Sequence, residues 1–251
     1  MGDIRIATLV MPCLNEIEAL RWILPRVPRS LKVIVVDNGS TDGSVEFARD
    51  WGATVIEHPI TAEVGRCIEL GVSSAETDIV CICDCDGTID PVDLLRLVAP
   101  IVVGKVDFVV GARTPVGRPR SRLQVAQSAL RDLITRIAQP DWPFSDLGTA
   151  RAFRRSAALT QGTRNQRFAW NLDVTARGIE AIPPSRVTEV AVPYSTRISS
   201  SKISAHPVGR LVAILDHLRV IGGIAARSAR ALPAARAAAP PRGVSRLART
   251  T

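Results

Sequence analysis

The first half of the chain alternates short apolar runs with stretches of helical spacing. Runs rich in β-branched residues cover residues 7–12, 32–37, 53–58, 78–84 and 107–113. Between them, residues 16–24, 43–51, 62–74 and 91–103 carry the apolar spacing of amphipathic helices. Strands that alternate with helices pair in parallel through right-handed crossovers, which leave helices on both faces of the sheet. The first half therefore predicts an α/β fold with a mostly parallel central sheet flanked by helices.

The second half has a more mixed pattern, and the whole chain divides into three predicted units. In chain order we predict a helix over residues 120–138, a turn-rich loop over 140–153, a helix over 168–181, a strand over 186–194 and a polar, basic loop over 196–210. A basic amphipathic helix follows over residues 210–232, weakened by Gly222 and Gly223. The three units are a folded domain over residues 1–209, this helix, and an Ala/Pro/Arg tail over 233–251 that is predicted to be disordered.

Polar and turn-forming residues follow three of the predicted strands. They are PCLNE from Pro12 to Glu16, DNGSTD from Asp37 to Asp42, and DCDG from Asp84 to Gly87. Ligands of open parallel sheets bind outside the carboxyl ends of the strands. An ordinary strand–turn–helix junction would explain DNGSTD alone, so its combination with DCDG is what predicts a ligand site at this edge.

The stretch CICDCDG, residues 81–87, contains three cysteines and two carboxylates. Strand alternation places the cysteines on one face, and C-x-C-x-C lacks the spacing of common zinc sites, so we expect buried, apolar thiols. Asp84 and Asp86 are hard oxygen ligands at the end of a strand. Such a pair suits Mg²⁺ or Mn²⁺ bound mainly through substrate phosphates. We therefore predict a metal site at Asp84 and Asp86, with Gly87 leaving room for the backbone to approach a ligand.

The charge of the chain favours polyanionic partners. Thirty-two basic and 24 acidic residues give a net charge of +8, and the isoelectric point is about 10.0. Nucleic acid, acidic lipid and phosphorylated substrates all fit this charge. A nucleic-acid-binding module would need a basic patch interleaved with aromatic residues, but aromatic residues make up only 4% of the chain. We therefore expect no nucleic-acid partner, and the sequence does not predict an oligomeric state.

Cysteine content and hydropathy indicate a cytoplasmic protein. Five cysteines, three of them crowded into one short segment, do not form a disulfide framework. The N-terminus lacks a signal-peptide pattern, and no uncharged apolar window reaches the ~18 residues of a membrane-spanning helix. The basic helix over residues 210–232 could lie on an anionic membrane at its inner face or pack on the domain.

Taken in order, PCLNE, VVDNGSTDGS and TDIVCICDCDGTIDP resemble the family-2 glycosyltransferases of GT-A fold. They are most similar to the branch that includes dolichol-phosphate mannose synthase and bacterial polyprenyl-phosphate sugar transferases. Three later segments, DLGTARAF (146–153), FAWNLDV (168–174) and VPYSTRISSSKISAHPVG (192–209), are similar to blocks of that branch. The resemblance implies a metal-dependent, inverting transfer from a UDP-sugar or GDP-mannose. The implied acceptor is a polyprenyl (dolichyl-like) phosphate, and the alternative is a hydroxyl of a soluble small molecule or glycan.

The resemblance also implies roles for individual residues. The nucleotide-sugar-binding set is Pro12, Asn15, Glu16, Asp37, Gly39, Asp84, Arg113, Arg151 and Ser201. The catalytic set is Asp86, Asp146, Asp173, Arg197 and Lys202, with Asp84 and Asp86 also holding Mg²⁺ or Mn²⁺. A lipid phosphate is already ionised and needs no strong base. A hydroxyl acceptor would need one, and Asp146 and Asp173 are the candidates.

Some residues depart from the pattern of that branch. Asp173 stands where Glu is usual, Ser199 replaces a usual Gly, and Ala205 and His206 replace Gly and Thr. The shorter side chain of Asp173 puts its reach, and a role as base, in question. A nucleotidyltransferase is the rival enzyme class, but it would carry a Gly- and Lys/Arg-rich phosphate loop where this chain has PCLNE.

Overall fold

A seven-stranded sheet forms the centre of the computed structural model, which describes residues 4–58, 63–116, 144–146, 148–159, 169–199 and 207–238. The strands are β1 (Ala7–Cys13), β2 (Leu31–Asp37), β3 (Thr54–Glu57), β4 (Ile79–Ile82), β5 (Phe108–Pro115), β6 (Arg151–Arg154) and β7 (Val187–Tyr194). Their order across the sheet is β3-β2-β1-β4-β6-β5-β7. β6 runs antiparallel to both of its neighbours, and the other pairs are parallel. The predicted mostly parallel sheet is confirmed.

Helices cover both faces of this sheet. They are α1 (Ile17–Ile23), α2 (Ser44–Trp51), α3 (Val64–Ser74), α4 (Leu95–Val102), α5 (Arg155–Leu159), α6 (Trp170–Ala181) and α7 (Pro207–Ala238). Strand alternation divides the core in two: Leu9 and Met11 of β1 face α1, α2 and α4, whereas Val10 faces α3. Apolar residues of α6 and α7 complete the second core. Each face of the sheet is thus closed by its own set of helices.

The sequence predicted the first four helices and the strands between them to within a few residues. The predicted helix over 91–103 begins with a 3₁₀ turn at Pro91–Leu94, because Asp90 accepts a hydrogen bond from the backbone N–H of Val92 and proline follows the cap. The predicted helices over 168–181 and 210–232 correspond to α6 and α7. The predicted helix over 120–138 lies outside the described residues.

Strand β6 corrects the predicted loop over residues 140–153. Arg151–Arg154 pairs between β4 and β5. Ala152 faces one core and Phe153 the other, where its ring stacks on Phe108 with the centroids 5.8 Å apart. Four residues are too few to show a strand period in the sequence, and the partners that stabilise them are far away along the chain.

Helix α7 is longer than predicted at both ends. It begins at Pro207 and continues through Pro233 to Ala238, so it includes six residues of the tail that was predicted to be disordered. Four of those six residues are alanine, the strongest helix former. Among the described residues, no helix combines the length and apolar character needed to span a membrane.

Gly71 sets the distance between α3 and the sheet. A Cβ atom added at this position would lie 2.3 Å from Cγ1 of Val10 and 3.1 Å from Cγ2 of Val36. Both valines are fully buried, so neither can move without disturbing the core. The helix that follows β3 can therefore approach β1 and β2 only because this residue has no side chain.

We expect Gly71→Ala to destabilise the fold. The overpacked methyl group should lower the free energy of unfolding by about 1–3 kcal/mol, more than the helix propensity of alanine returns. Urea unfolding monitored by circular dichroism measures this. Gly222→Ala in α7 is the matched control, because a Cβ there meets no atom within 4 Å. It should leave stability unchanged or raise it by up to about 1 kcal/mol. Equal effects of the two variants would contradict the packing argument.

Candidate active site

The loops that follow β1 and β2 are bonded into one unit. The backbone N–H of Asn15 donates to Ser40 Oγ over 2.8 Å, and Asn15 Oδ1 accepts from the backbone N–H of Thr41 over 2.7 Å. Asn15 has a φ of 53°, in the left-handed region that asparagine tolerates better than most residues. Asn15, predicted to line the nucleotide pocket, therefore fixes the shape of the loop between Pro12 and Glu16.

Asp37 ends β2 and closes the loop that follows it. Asp37 Oδ2 accepts from the backbone N–H groups of Gly39 and Ser40 over 2.9 and 3.0 Å. The φ of 93° at Gly39 favours glycine. The neighbouring Asn38, which sequence reasoning missed, is buried, and its Oδ1 has no hydrogen-bond partner among the described residues. A buried acceptor left unsatisfied by the fold is available to an N–H group of a ligand. Its position directly after Asp37 was the only signal in the sequence.

The carboxylates of Asp84 and Asp86 follow β4, as predicted. The backbone N–H and the hydroxyl of Thr88 donate to Asp86 Oδ1 over 3.0 and 2.7 Å. Gly87 makes the intervening turn with a φ of 75°. Burial, together with the nearby charge of Asp86, raises the pKa of Asp84 to about 6. A cation bound between these two crowded carboxylates would stabilise their ionised forms.

The segment that follows β7 crosses the loop that carries these carboxylates. The backbone N–H groups of Ser195 and Ile198 donate to the carbonyl groups of Thr88 and Asp86 over 2.8 and 2.9 Å. Ile198 lies so close to Gly87 that an added Cβ there would come within 2.4 Å of Ile198 Cδ1. We expected the space at Gly87 to serve a ligand, and here the Ile198 side chain fills it.

Arg197 brings a positive charge to the same place. Its Nη2 donates to Glu16 Oε1 over 3.0 Å, and its Nε lies 3.8 Å from Asp86 Oδ2. The hydroxyl of Ser199 donates to the other carboxylate oxygen of Glu16. Glu16 was predicted to line the nucleotide pocket, and in the structure its carboxylate binds the segment that crosses the site. No pattern in the sequence predicted this contact between Glu16 and Arg197.

The residues at this site fit the predicted Mg²⁺ or Mn²⁺. No group of three His, Cys, Asp or Glu side chains within the described ranges could enclose a metal ion. Asp84 and Asp86 supply two hard oxygen ligands, and such ions commonly complete their coordination with phosphate oxygens and water. The guanidinium of Arg197, 3.8 Å from Asp86, is a stand-in cation at the same carboxylate. The donor set therefore suits a divalent ion that arrives with a phosphorylated ligand.

The cysteines of this stretch lie in the core, as expected. Cys81, Cys83 and Cys85 belong to one apolar cluster together with Cys13, and Ile82 faces the opposite core. Burial raises the pKa of Cys81 to about 12 and the pKa of Cys83 well above its usual value. A thiol binds metal as the thiolate, which this environment disfavours. The cysteines therefore act as small apolar side chains.

Arg113 and Asp146 form a bidentate ion pair beside this site. Arg113 Nε and Nη2 donate to the two carboxylate oxygens of Asp146, each over 2.7 Å. The ring centroid of Tyr194 lies 5.4 Å from Cζ of Arg113. Burial and the charge of Asp86 raise the pKa of Tyr194, so this tyrosine connects the ion pair with the metal-site loop. Sequence reasoning missed Tyr194, although it lies inside a block that carried the family resemblance.

Both candidate bases are bound to arginines. Asp146 uses both oxygens for Arg113, and the buried Asp173 accepts from Arg177 Nε over 3.0 Å, one turn further along α6. A carboxylate that already accepts charged hydrogen bonds has less capacity to take a proton from a substrate. As placed here, neither side chain is poised to act as a general base.

Arg151, the first residue of β6, is fully buried. Its Nε donates to Thr175 Oγ1 over 2.9 Å, and its Nη1 donates to Asn171 Oδ1 over 2.7 Å. The buried Trp170 ring lies 5.3 Å from its guanidinium carbon. Its positive charge still acts on the site, because it partly opposes the rise that burial and Asp86 cause in the pKa of Asp84. These contacts join Arg151 to α6, and its predicted role in binding the nucleotide sugar stays a prediction.

Of the predicted residues, the structure brings together Glu16, Asp84, Asp86 and Arg197, with Arg113 and Asp146 beside them. Ser201, Lys202 and His206 lie outside the described residues, so the roles of Ser201 and Lys202 stay predictions.

A mostly parallel α/β sheet with a D-x-D pair at the carboxyl end of a central strand is the arrangement expected of a glycosyltransferase of GT-A fold. Residues 8–160 match the family model described as Glycosyl transferase family 2. The chain therefore belongs to glycosyl transferase family 2, and it is a glycosyltransferase, as the resemblance indicated.

Individual relatives agree with this family. The chain is similar to the uncharacterized glycosyltransferase Rv0539 of Mycobacterium tuberculosis, with 36% identity over 219 residues, 85% of this chain and 97% of that protein. It is also similar to the undecaprenyl-phosphate 4-deoxy-4-formamido-L-arabinose transferase of Aeromonas hydrophila, with 30% identity over 115 residues, 41% of this chain and 35% of that protein. Among solved structures, glucosyl-3-phosphoglycerate synthase of M. tuberculosis with Mn²⁺, UDP and glucosyl-3-phosphoglycerate superposes with a TM-score of 0.66 at 21% identity, covering 87% of this chain and 80% of that chain. This last likeness shows the shared fold.

We expect Asp146→Asn to destabilise the protein. The change leaves the Arg113 guanidinium without its carboxylate in a mostly buried position, which should lower the free energy of unfolding by about 2–4 kcal/mol. Thermal or urea unfolding measures the change. Glu18→Gln is the control, because it breaks an exposed ion pair with Arg21 and should cost less than about 1 kcal/mol. If both variants unfold at the same denaturant concentration, the pair between Arg113 and Asp146 does not support the fold.

Proposed function

We propose that the protein transfers a sugar, with inversion, from a nucleoside diphosphate sugar to a phosphate-bearing acceptor. The observation that carries this proposal is the cluster of Asp84, Asp86 and Arg197 at the carboxyl edge of the sheet. A UDP-sugar is the first candidate donor, because glucosyl-3-phosphoglycerate synthase, of similar fold, is seen with Mn²⁺ and UDP. GDP-mannose is the second candidate.

The negative charge of the donor's diphosphate explains why carboxylates and an arginine lie together at this site. Asp84 and Asp86 would hold the Mg²⁺ or Mn²⁺, which neutralises the diphosphate and makes it a better leaving group. Arg197 lies beside the same carboxylates, with a third of its side chain exposed to a ligand. A guanidinium at this position stabilises negative charge as it develops on the leaving group. Lys202 and Ser201 are proposed to add further phosphate contacts.

The state of the two candidate bases favours an acceptor that needs no base. Asp146 and Asp173 are both bound to arginines, whereas a phosphate acceptor is already ionised at neutral pH. The A. hydrophila relative is an undecaprenyl-phosphate sugar transferase, and glucosyl-3-phosphoglycerate synthase is seen with Mn²⁺, UDP-glucose and phosphoglyceric acid, so a phosphate-bearing molecule occurs with both proteins. A polyprenyl phosphate is our first candidate, and a soluble phosphorylated acceptor is the second.

Thermal unfolding tests the donor site. A ligand present at one hundred times its Kd stabilises the native state by about 2.7 kcal/mol, which for a chain of this size raises Tm by about 5–10 °C. We expect UDP to raise Tm in the presence of Mn²⁺ and to do so much less without it. GDP serves as the comparison for the base.

Asp86→Ala should abolish the effect of Mn²⁺ on UDP binding, because it removes a predicted metal ligand. Asp93→Ala is the control. It removes a partly buried carboxylate nearby in sequence, whose ion pair among the contacts described is with the exposed Arg96. If neither nucleotide shifts Tm, with or without metal, the assignment of a nucleotide-sugar site is wrong.

Helix α7 supports the lipid acceptor over a soluble one. Ile214, Leu215 and Leu218 are each about half exposed, and Arg219 lies beside them on the same side of the helix. An apolar strip with a basic flank is the pattern of a helix that lies on an anionic membrane. We propose that this strip brings the site to a lipid phosphate at the inner face of the membrane.

An acceptor comparison tests this proposal. With a UDP-sugar and Mn²⁺, we expect UDP release to rise at least tenfold when undecaprenyl phosphate is supplied in anionic vesicles, and to rise little with 3-phosphoglycerate. Leu215→Ser together with Leu218→Ser should reduce sedimentation with the vesicles while leaving Mn²⁺-dependent UDP binding intact. The reverse preference, for the soluble acceptor, would reject the lipid acceptor.

A further inference from the structure

The contact between Glu16 and Arg197 suggests a use for Glu16 that the family resemblance did not. Glu16 is 6% exposed and lies in the loop after β1. Arg197 belongs to the segment after β7, and the sequence separation between the two is 181 residues. The fold therefore brings together two loops that are far apart along the chain, and their charges meet at the carboxylates of the predicted metal site.

Arg197 is shared unequally between two carboxylates. Its Nη2 makes a hydrogen-bonded ion pair with Glu16 at 3.0 Å, whereas its Nε is 3.8 Å from Asp86 Oδ2, beyond hydrogen-bond distance. A guanidinium is always charged and has five N–H donors, so it would bind Asp86 fully if Glu16 did not compete. Full binding would place a cation on a carboxylate that the metal ion needs.

The segment around Arg197 has other anchors, so the role of Glu16 is local. The backbone of Ile198 is bound to the carbonyl of Asp86, and the backbone of Ser195 to the carbonyl of Thr88. These bonds hold the backbone of the segment in place, so the Arg197 side chain can bind either Glu16 or Asp86 without moving the segment. The hydroxyl of Ser199 orients the Glu16 carboxylate toward this side chain.

We propose that Glu16 is a positioning residue that draws the Arg197 guanidinium away from Asp86, so that a divalent cation can bind Asp84 and Asp86 while Arg197 stays within reach of the diphosphate. This inference rests on the proposed function, because it concerns the same metal and donor. In this proposal Glu16 acts through Arg197, its hydrogen-bonded partner, and not directly on the metal or the nucleotide.

A double-mutant cycle on Mn²⁺ binding tests the proposal. Binding of Mn²⁺ alone is measured at pH 7.5 by the electron paramagnetic resonance signal of the unbound ion, for wild type, Glu16→Gln, Arg197→Gln and the double variant. We expect Glu16→Gln to weaken Mn²⁺ binding by about fivefold or more, the size of one ion pair. In the Arg197→Gln background the same change should alter the affinity by less than about twofold, because no guanidinium remains to be displaced.

The opposite coupling would overturn the proposal. A loss of affinity that is as large or larger without Arg197 would mean that Glu16 attracts the metal directly. Glu18→Gln, two residues further along on α1 and exposed, controls for the general loss of one negative charge and should not change the affinity. Each variant must keep the wild-type Tm in the absence of ligand, which separates a change at the site from a damaged fold.

Arg197→Gln provides a second route if Glu16→Gln does not fold. Removing the competing cation should strengthen the binding of Mn²⁺ alone, while UDP binding in the presence of Mn²⁺ should weaken because a phosphate contact is lost. Unchanged Mn²⁺ affinity in this variant would contradict the inference. If the wild-type protein binds no Mn²⁺ with or without UDP, the proposed function itself fails. If the wild type binds Mn²⁺ but the effects of Glu16→Gln and Arg197→Gln on the affinity simply add, only the role of Glu16 is rejected.

Discussion

Repulsion between two carboxylates at the end of a buried strand is the constraint on which the site depends. The apolar core on both sides of β4 leaves Asp84 in a poorly solvated place, and Asp86 adds a second negative charge. Burial and like charge both disfavour ionisation, which is why the pKa of Asp84 is raised. The fold tolerates the pair because a cation is close by: the Arg197 guanidinium in the structure described here, and a divalent ion with its phosphate ligand in the proposed reaction.

Pairing of acids with arginines extends outward from this point. Glu16 binds Arg197, Asp146 binds Arg113, and Asp173 binds Arg177. Each pair is largely buried on its acidic side, where an unpaired charge would be strongly destabilising. One consequence is chemical: the carboxylates that sequence reasoning offered as bases are occupied. This supports our proposal of an acceptor that arrives ionised. The arginines contribute both to the stability and to the charge balance of the site.

The fold could be predicted from the sequence wherever an element showed its own period. The first five strands and four helices have clear apolar patterns, because a strand buried between two helical layers must be apolar along its length. Strand β6 could not be predicted in this way. Its four residues are stabilised by β4 and β5 on either side, and no local pattern records such partners. Tyr194 and Asn38 were not predicted as site residues for the same reason, because only the fold brings them close to the other loops of the site.

The α/β fold, the family, and the position of Asp84 and Asp86 after a central strand could all be read from the amino-acid sequence. Each of these depends on local residue patterns or on the order of motifs, and both are properties of the amino-acid sequence alone. Which charged side chains pair with each other became known from the three-dimensional fold. It placed Arg151 in the core, bound Asp146 to Arg113, and brought Glu16 to Arg197 across most of the chain. Charges interact through space and not along the chain, so the pairing of a given carboxylate depends on the fold that surrounds it.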